Sequence, residues 1–536
     1  MNELRRERWA FLRRRPAPAV LLSLLFCVIV GFTLSDYGIT WDEPTYYSSG
    51  LAHVSWLRAP TRARLNACWK PTHEHPPLAM IPGGLLRYVL EKKLGLMNGF
   101  AAFRLQSLIF VFLLHYALYS LVSESFGDAT AVVASASLFI LPRVFFHAHL
   151  AALDYPMTAM WVAVAYAFQR GLRSRRWMVA ASLLMGLALL TKINAPFLYA
   201  LLTFWLVVHF RKELRSLLSR PTRSRIKEHS HVVCGVLSWL AVPAAVFLVC
   251  WPWLWPHPVS RTIGYFAWHL GHFPILVHYL GRTYLHAPWH YPFVMTAVTV
   301  PLAILVPLLV GLWKSLSAPH RGLRLFLLLN ALVALCSVAF LAPSKYGGVR
   351  LFLPAFPFLC AVAALGVREP YRLCARFGKG RVFVALYVVV FGVSAFHGLV
   401  RYHPHQSSYY NAILGGAKGA ARNFETTYWG DAYHDVVPWI EDHAESTFWV
   451  PVNSDSLKAY VDFGMIRTPI RFAKREQADY LLLLMRQGHF TDELWRYYRA
   501  RDPVFSVVCR GTLLAAVYVN EARKSPAPTW LETAAP

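Results

Sequence analysis

The sequence predicts a mainly α-helical, polytopic transmembrane bundle followed by a small α/β domain. Three observations support this fold class. The chain of 536 residues is 56% hydrophobic and only 15% charged. Its apolar stretches recur at about 16–22 residues, the length that a helix needs to cross a bilayer. After Leu399 these long stretches stop, and shorter helical and strand-like patterns alternate.

The bundle is expected to contain about eleven spans, placed on the longest apolar stretches. The predicted spans are Ala17–Leu34, Leu105–Val122, Ala129–Phe146, Pro156–Phe168, Met178–Leu190, Pro196–Phe210, Val232–Trp251, Phe293–Trp313, Leu325–Leu341, Leu353–Val367 and Val382–Leu399. An arginine-rich start precedes the first span, but no small-x-small cleavage site follows it. We therefore expect this span to remain as an anchor.

Lysine and arginine are concentrated in alternate loops, within residues 170–176, 211–227, 314–324 and 368–381. The positive-inside rule places these loops and the N-terminus in the cytoplasm, so the segment after the first span and the tail lie outside. The predicted organisation is a basic N-terminus at 1–16, a transmembrane domain at 17–399, an extracytoplasmic α/β domain at 400–524 and a disordered tail at 525–536.

Three outward segments differ from the short loops. Residues 35–104 and 252–292 are rich in aromatic side chains and are expected to lie in the membrane interface. The third segment is the tail. Its predicted helices are 431–443, 455–463 and 492–501, and its predicted strands are 448–452, 480–484 and 513–519.

The formal net charge of +26 does not indicate a nucleic-acid-binding protein, because the basic residues are dispersed in short loops. Membrane topology and contact with anionic lipids explain most of this charge. The eight cysteines show no metal-ligand spacing, and most lie in apolar spans as small core residues. A bridge between Cys68 and Cys509 outside the membrane is left open.

Four outward-facing groups carry the residues suited to chemistry. They are Asp42-Glu43, the stretch His73-Glu74-His75-Pro76-Pro77, Asp154 immediately before a span, and Lys345 with Arg350. Ionisable groups this close to hydrocarbon are costly unless they face water, a cation or a substrate. Their occurrence on one face of the membrane favours a shared site over four unrelated features.

These groups suit attack by an acceptor hydroxyl on a sugar carried by a lipid phosphate. A carboxylate would take the hydroxyl proton, and cations would hold the phosphate as it leaves. Glu74, Asp154 and His73 could alternatively ligate a divalent metal cation with the same purpose.

Each group also has a structural interpretation. Asp42-Glu43 could form a plain interfacial turn, and Asp154 could cap the helix that starts at Pro156. Interfacial histidines often bind only water or headgroups. Lys345 and Arg350 could extend to lipid headgroups.

In this order, the motifs resemble those of C-type (GT-C fold) glycosyltransferases, close to the family 39 group of protein O-mannosyltransferases and lipid A aminoarabinose transferases. The matching positions are Asp42-Glu43 in the first outward loop, Glu74-His75-Pro76 later in that loop, Asp154 in the second, Leu189–Lys192, and Arg350 with Pro354 and Pro357. A histidine stands at position 75 where relatives often have lysine. The stretches 402–411 and 424–430 resemble segments of uncharacterised bacterial members.

The resemblance implies an inverting membrane glycosyltransferase of the bacterial inner membrane. Its donor would be a polyprenyl-phosphate-linked sugar, and its acceptor a protein, a lipid or a polysaccharide outside the cytoplasm. Residues 17–399 would then form the catalytic GT-C domain.

The resemblance also implies roles for single residues. Asp42 would be the base and Glu43 its catalytic partner. Lys345, Arg350, His75 and Lys192 would bind the donor phosphate. Tyr409 and Trp429 would face the acceptor or pack the tail against the membrane domain. Two other classes stay open: a lipid or sugar transporter, and a non-catalytic scaffold. The sequence leaves open the sugar, the acceptor and the need for a metal.

Overall fold

The computed structural model describes residues 17–219, 222–317, 322–466 and 468–523. The predicted N-terminal segment 1–16 and the predicted disordered tail 525–536 lie outside the described residues.

Most of the described chain is α-helical, as predicted. The helices are Ala17–Thr33, Glu43–Arg58, Arg62–Trp69, Ile81–Arg87, Gly99–Arg104, Gln106–Phe126, Asp128–Phe139, Pro142–Ala148, Asp154–Gly171, Arg175–Leu189, Ala195–His209, Arg211–Ser219, Arg223–Glu228, Ser230–Val249, Pro258–Leu270, Tyr291–Thr299, Leu302–Ser317, Gly322–Cys336, Phe356–Arg376, Gly380–Ala395, Gly416–Ala420, Val437–Asp442, Ser454–Asp462 and Asp492–Ala500. The strands are β1 (Val277–Tyr279), β2 (Arg282–Tyr284), β3 (Thr447–Trp449), β4 (Arg471–Phe472), β5 (Tyr480–Leu484), β6 (Phe505–Cys509) and β7 (Thr512–Val519).

Every predicted span falls on a helix or on two consecutive helices. Among the described residues, six helices are long and apolar enough to cross a membrane, and a seventh crossing is reached if the pair 128–139 and 142–148, bent by 77°, counts as one span. The chain is therefore a multi-pass membrane protein. Other predicted spans are shorter apolar helices, such as Ala195–His209 and Leu302–Ser317.

The helix Phe356–Arg376 lies at the centre of the bundle. With the short turn before it, it forms the span Arg350–Arg376, in which 89% of the apolar stretch is buried. In the next helix, Gly380–Ala395, only 6% of the apolar stretch is buried, and the valines are exposed on the outside of the bundle. A helix that is apolar yet exposed fits a lipid-facing position.

The tail folds into a five-stranded sheet of order β4-β3-β5-β7-β6 with short helices around it. Strands β4, β3 and β5 are parallel, whereas β5, β7 and β6 are antiparallel. The predicted strands 448–452, 480–484 and 513–519 correspond to β3, β5 and β7. The small C-terminal α/β region predicted from the sequence is therefore present.

This C-terminal region sits on the exit of the first span. The Ile39 amide donates to the Tyr460 hydroxyl at 2.9 Å, and the Trp41 amide donates to the Trp429 carbonyl at 2.8 Å. Gly38 permits the approach, since a Cβ there would lie 2.0 Å from the Asp431 carbonyl oxygen. Cys68 and Cys509 are both free thiols, so the bridge left open by the sequence is not formed.

Candidate active site

A cavity of about 770 Å³ lies where the outward segments and the C-terminal region meet. The structure brings seven of the predicted site residues to its walls: Asp42, Glu74, His75, Asp154, Lys192, Arg350 and Trp429. They come from six separate stretches of the chain, so the cavity is assembled by the tertiary fold.

Asp42 immediately precedes the helix Glu43–Arg58, in which Pro44 takes an early position where no backbone donor is needed. Its carboxylate oxygen Oδ2 lies 3.0 Å from Arg350 Nη2. The side chain is 20% exposed, towards the cavity. Asp42 therefore presents a carboxylate to the cavity while one of its oxygens is held by a cation.

Asp154 begins the helix Asp154–Gly171 and is almost fully buried. Lys192 Nζ lies 2.5 Å from its Oδ1, and Arg350 Nε lies 3.9 Å from its Oδ2. Arg350 thus lies between the two aspartates, and carboxylates alternate with cations in the order Asp42, Arg350, Asp154 and Lys192. We call these four side chains the charged floor of the cavity. Buried charges are tolerated when they are paired in this way.

Aromatic rings and glycines position the Arg350 guanidinium. Its Cζ lies 4.4 Å from the centre of the Trp429 ring and 5.3 Å from that of Tyr346. Gly347 has a φ of +66°, and a Cβ there would lie 2.8 Å from Arg350 Cδ. Glycine is needed at this turn for both reasons.

His75 and Glu74 line the cavity after the His73–Pro77 turn. Burial, reinforced by the nearby His269, Lys192 and Arg350, lowers the pKa of His75 to about 3. The imidazole is therefore neutral at physiological pH. It can donate a hydrogen bond to a phosphate but does not act as the cation that the resemblance implies at this position.

Glu43, for which the sequence predicts a catalytic role, does not line the cavity. It is fully buried, and its carboxylate accepts hydrogen bonds from Arg104 Nε at 2.8 Å and Arg104 Nη2 at 2.6 Å. Thr40 and the Ala151 amide donate to the same carboxylate. With its oxygens fully engaged, Glu43 holds the first outward loop against the bundle.

Three further predicted site residues lie away from the cavity walls. Lys345 directs its Nζ to the Ala342 carbonyl at 3.5 Å. Tyr409 is buried against the Tyr402 ring, 5.1 Å between centres. His73 lies outside, 3.4 Å from Glu74. The predicted phosphate contact of Lys345, acceptor contact of Tyr409 and metal contact of His73 are not supported by these positions.

The predicted metal ligands Glu74, Asp154 and His73 do not form a cluster in the described part of the chain. Among the described residues, no group of three or more histidine, cysteine or acidic side chains is placed to hold a metal ion. Asp154, predicted as a ligand, has Lys192 and Arg350 against its two oxygens instead.

The structure adds cavity residues that sequence reasoning missed. Tyr346, Asn453, Arg486 and His489 all line the cavity, and the last three belong to the C-terminal region. The signal that could have identified Arg486 is its position just beyond the strand-like run 480–484, separated from it only by Met485. Ligands commonly bind outside the carboxyl ends of buried parallel strands.

One wall of the cavity is apolar. It is formed by apolar side chains from helices and from the segments between them: Ile193, Phe197, Phe266, Leu270, Phe273, Val338 and Leu341. Leu270, Phe273 and Leu341 are themselves more than half exposed, so this wall continues onto the apolar outer surface.

Comparisons with known proteins agree with this architecture. The profile of the dolichyl-phosphate-mannose-protein mannosyltransferase family matches residues 85–222, a segment that includes Asp154 and Lys192. The structure is similar to that of ArnT from Cupriavidus metallidurans bound to undecaprenyl phosphate, with a TM-score of 0.50 and 14% identity over 95% of this chain and 99% of that one.

The chain has the GT-C fold. A further similar structure is the oligosaccharyltransferase AglB from Archaeoglobus fulgidus in complex with an inhibitory peptide and a dolichol-phosphate, at 13% identity over 95% of this chain and 75% of that one, with a TM-score of 0.46. Among curated protein sequences, none matches this GT-C chain. The profile match and the fold shared with ArnT confirm the resemblance to GT-C glycosyltransferases drawn from the sequence, and the roles of single residues stay predictions.

Proposed function

We propose that this protein is an inverting glycosyltransferase that moves a monosaccharide from a polyprenyl-phosphate donor to a hydroxyl acceptor at the outer face of the membrane. The observation that carries the proposal is the cavity in which Asp42 lies 3.0 Å from Arg350 beside an apolar wall. A carboxylate suits the acceptor hydroxyl, cations suit the donor phosphate, and an exposed apolar surface suits the prenyl chain.

In the proposed reaction, Asp42 is the general base. Its Oδ2 is held by Arg350, so Oδ1 is left to accept the proton of the acceptor hydroxyl. The hydroxyl oxygen then bonds to the anomeric carbon from the face opposite the phosphate. The bond between that carbon and the phosphate oxygen breaks, its electron pair stays on the oxygen, and polyprenyl phosphate leaves with inversion.

The cations stabilise the charge that develops on the leaving phosphate. Arg350 and Lys192 both line the cavity, and Asp154 fixes them through its two oxygens. His75 can add a neutral hydrogen bond. Since phosphate is a good leaving group, no strong general acid is needed.

The apolar wall supports a lipid-linked donor. Its exposed members, Leu270, Phe273 and Leu341, would contact a prenyl chain, so the phosphate could reach the charged floor while the tail remains in the membrane. ArnT, whose fold this chain shares, was crystallised with undecaprenyl phosphate. We place the reaction at the bacterial inner membrane, with the N-terminus cytoplasmic and the C-terminal region outside.

The test is turnover of a panel of polyprenyl-phosphate sugars by the purified protein in lipid nanodiscs, with membrane extract as acceptor. We expect release of polyprenyl phosphate from at least one donor and no consumption of nucleotide sugars. Movement of intact lipid-linked sugar across vesicles without cleavage would instead support a transporter and contradict the proposal.

A further inference from the structure

The C-terminal region contributes to the cavity an arginine that makes no direct ion pair with a carboxylate of the described residues. Arg486 lines the cavity, and its Nη1 donates to Asn453 Oδ1 at 3.0 Å. Its Nε is buried and has no hydrogen-bond partner, and Arg486 forms no ion pair with any acidic side chain of the described residues. A buried cation without a partner is costly unless a ligand supplies the opposite charge.

The fold explains why Arg486 reaches this place. One residue separates Arg486 from the end of β5. Asn453 lies a few residues after the end of β3, the parallel neighbour of β5. The carboxyl ends of parallel strands meet at one edge of a sheet, and ligands commonly bind outside that edge. Pro451, Val452 and His489 reach the cavity from the same edge.

The other cavity cations already have carboxylate partners. Arg350 lies 3.0 Å from Asp42 and 3.9 Å from Asp154, and Lys192 lies 2.5 Å from Asp154. Burial lowers the pKa of Arg486, and so does the positive charge of Arg350, whereas the more distant carboxylates of Glu425 and Asp42 act in the opposite direction without forming an ion pair with it. Two guanidinium groups that face one cavity leave room for an anion between them.

We propose that Arg486 binds the phosphate of the lipid donor from the C-terminal side, opposite Arg350, and that Asn453 orients it. This inference rests on the proposed function. It makes the C-terminal region part of the donor site, whereas the sequence suggested only an acceptor contact or packing for that region. A lipid phosphate and a free phosphate would both offer the anion that Arg486 requires. We propose that the lipid donor supplies it.

The experiment measures the binding of undecaprenyl phosphate, undecaprenol and inorganic phosphate to the full-length protein in nanodiscs. We expect Arg486→Gln to weaken undecaprenyl phosphate binding by about ten- to a hundredfold, since one charge-assisted hydrogen bond is lost. The affinity of Arg486→Lys for undecaprenyl phosphate should lie between those of the wild type and Arg486→Gln. Undecaprenol binding should not change in either variant. The matched control is Arg475→Gln, which removes an exposed arginine of the same region that pairs with Glu493 and should bind as the wild type does.

A second readout separates binding from folding. Without ligand, Arg486→Gln should unfold at the wild-type temperature or above it, because the variant removes a buried charged group whose Nε has no hydrogen-bond partner. The stabilisation by undecaprenyl phosphate should be largely lost. A lower unfolding temperature with an unchanged affinity would show a structural arginine and overturn the proposal.

The remaining outcomes are also decisive. Affinity of Arg486→Gln within twofold of the wild type overturns the inference and leaves the proposed function standing. If inorganic phosphate binds as tightly as the lipid and loses the same factor, a soluble phosphate is the ligand and our choice of source is wrong. Failure of the wild type to prefer undecaprenyl phosphate over undecaprenol contradicts the proposed function itself.

Discussion

At the scale of single residues, the adjacent carboxylates of Asp42 and Glu43 lie in different environments. Asp42 faces the cavity, whereas Glu43 is buried and bound to Arg104 at 2.6 Å. The bidentate pair closes the loop after the first span, because Arg104 also donates to the carbonyls of Tyr37 and Gly38. Glu43 therefore positions the loop that presents Asp42.

We predict that Glu43→Gln destabilises the protein by about 3–5 kcal/mol, because Arg104 would remain as a buried unpaired charge. Thermal unfolding in detergent measures this change. The control Glu445→Gln breaks an exposed pair with Arg471 and should change the stability by less than about 1 kcal/mol. Equal, small effects of the two variants would contradict the role assigned to Glu43.

The sequence predicted Asp42 and Arg350 as site residues, and both line the cavity, but it did not show which of their neighbours do so. Burial decides between Asp42 and Glu43, and burial depends on Arg104, 61 positions away from Glu43. Lys345 and Arg350 share one loop, yet only Arg350 points into the cavity. Side-chain direction in such a loop follows from Gly347 and its positive φ, which residue type alone did not reveal.

At the scale of elements, glycines set the distance between central helices. In the helix Leu302–Ser317, a Cβ at Gly311 would lie 2.0 Å from the Val362 carbonyl oxygen. In the helix Phe356–Arg376, a Cβ at Gly366 would lie 1.9 Å from the Pro307 carbonyl oxygen. Small residues allow such close backbone contact in membrane bundles.

We predict that Gly311→Ala lowers the stability by about 1–3 kcal/mol, because two backbones must separate. Gly392→Ala is the matched control in an outward-facing helix, where nothing lies within 4 Å of the added Cβ. It should leave the unfolding temperature in detergent unchanged or raise it slightly. A control that is as damaging as Gly311→Ala would show that helix contact is not the cause.

Element positions followed the hydrophobic pattern closely, and breaks inside elements did not. The predicted span Phe293–Trp313 is two helices that meet around Pro301, and Ala129–Phe146 is a pair bent by 77° at a break before Pro142. Average hydropathy is blind to such breaks, because proline leaves the apolar character unchanged while removing a backbone donor. Among the described residues, six or seven of the about eleven predicted spans coincide with helices that are each long and apolar enough to cross a membrane.

At the scale of the whole molecule, a buried histidine stabilises the start of the C-terminal region. His405 Nε2 lies 2.9 Å from Asp435 Oδ2, and its Nδ1 lies 4.0 Å from Asp431 Oδ2. Burial alone would lower the pKa of His405, but the two carboxylates outweigh it and raise the pKa to about 9. The imidazolium is therefore the form present at neutral pH.

We predict that this contribution to stability is fully present below the ordinary histidine pKa near 6.5 and is lost as the pH rises through about 9. Its upper limit is about 3 kcal/mol. Unfolding temperatures of the wild type and His405→Gln between pH 6 and pH 10 test it. The difference between the two should shrink with rising pH, and a constant difference would contradict the assignment.

The assembly of the cavity is what the sequence could least provide. Its walls combine the first loop, the second loop and the carboxyl edge of β3 and β5, which are separated by hundreds of residues. Proximity of Arg350 to Trp429 depends on how the C-terminal region docks, and that of Arg486 to Asn453 depends on the parallel pairing of β3 and β5 within that region. Local patterns identify elements, but they do not fix the contacts between distant ones.

The central claim is that Asp42 removes the proton of an acceptor during transfer from a polyprenyl-phosphate donor. The most direct measurement is the rate of polyprenyl phosphate release by purified wild type, Asp42→Asn and the control Asp455→Asn, whose side chain is exposed beside Lys458. We expect a loss of about 100- to 10,000-fold in Asp42→Asn, with donor binding and unfolding temperature retained and the control unaffected. Release by Asp42→Asn at the wild-type rate would contradict the claim.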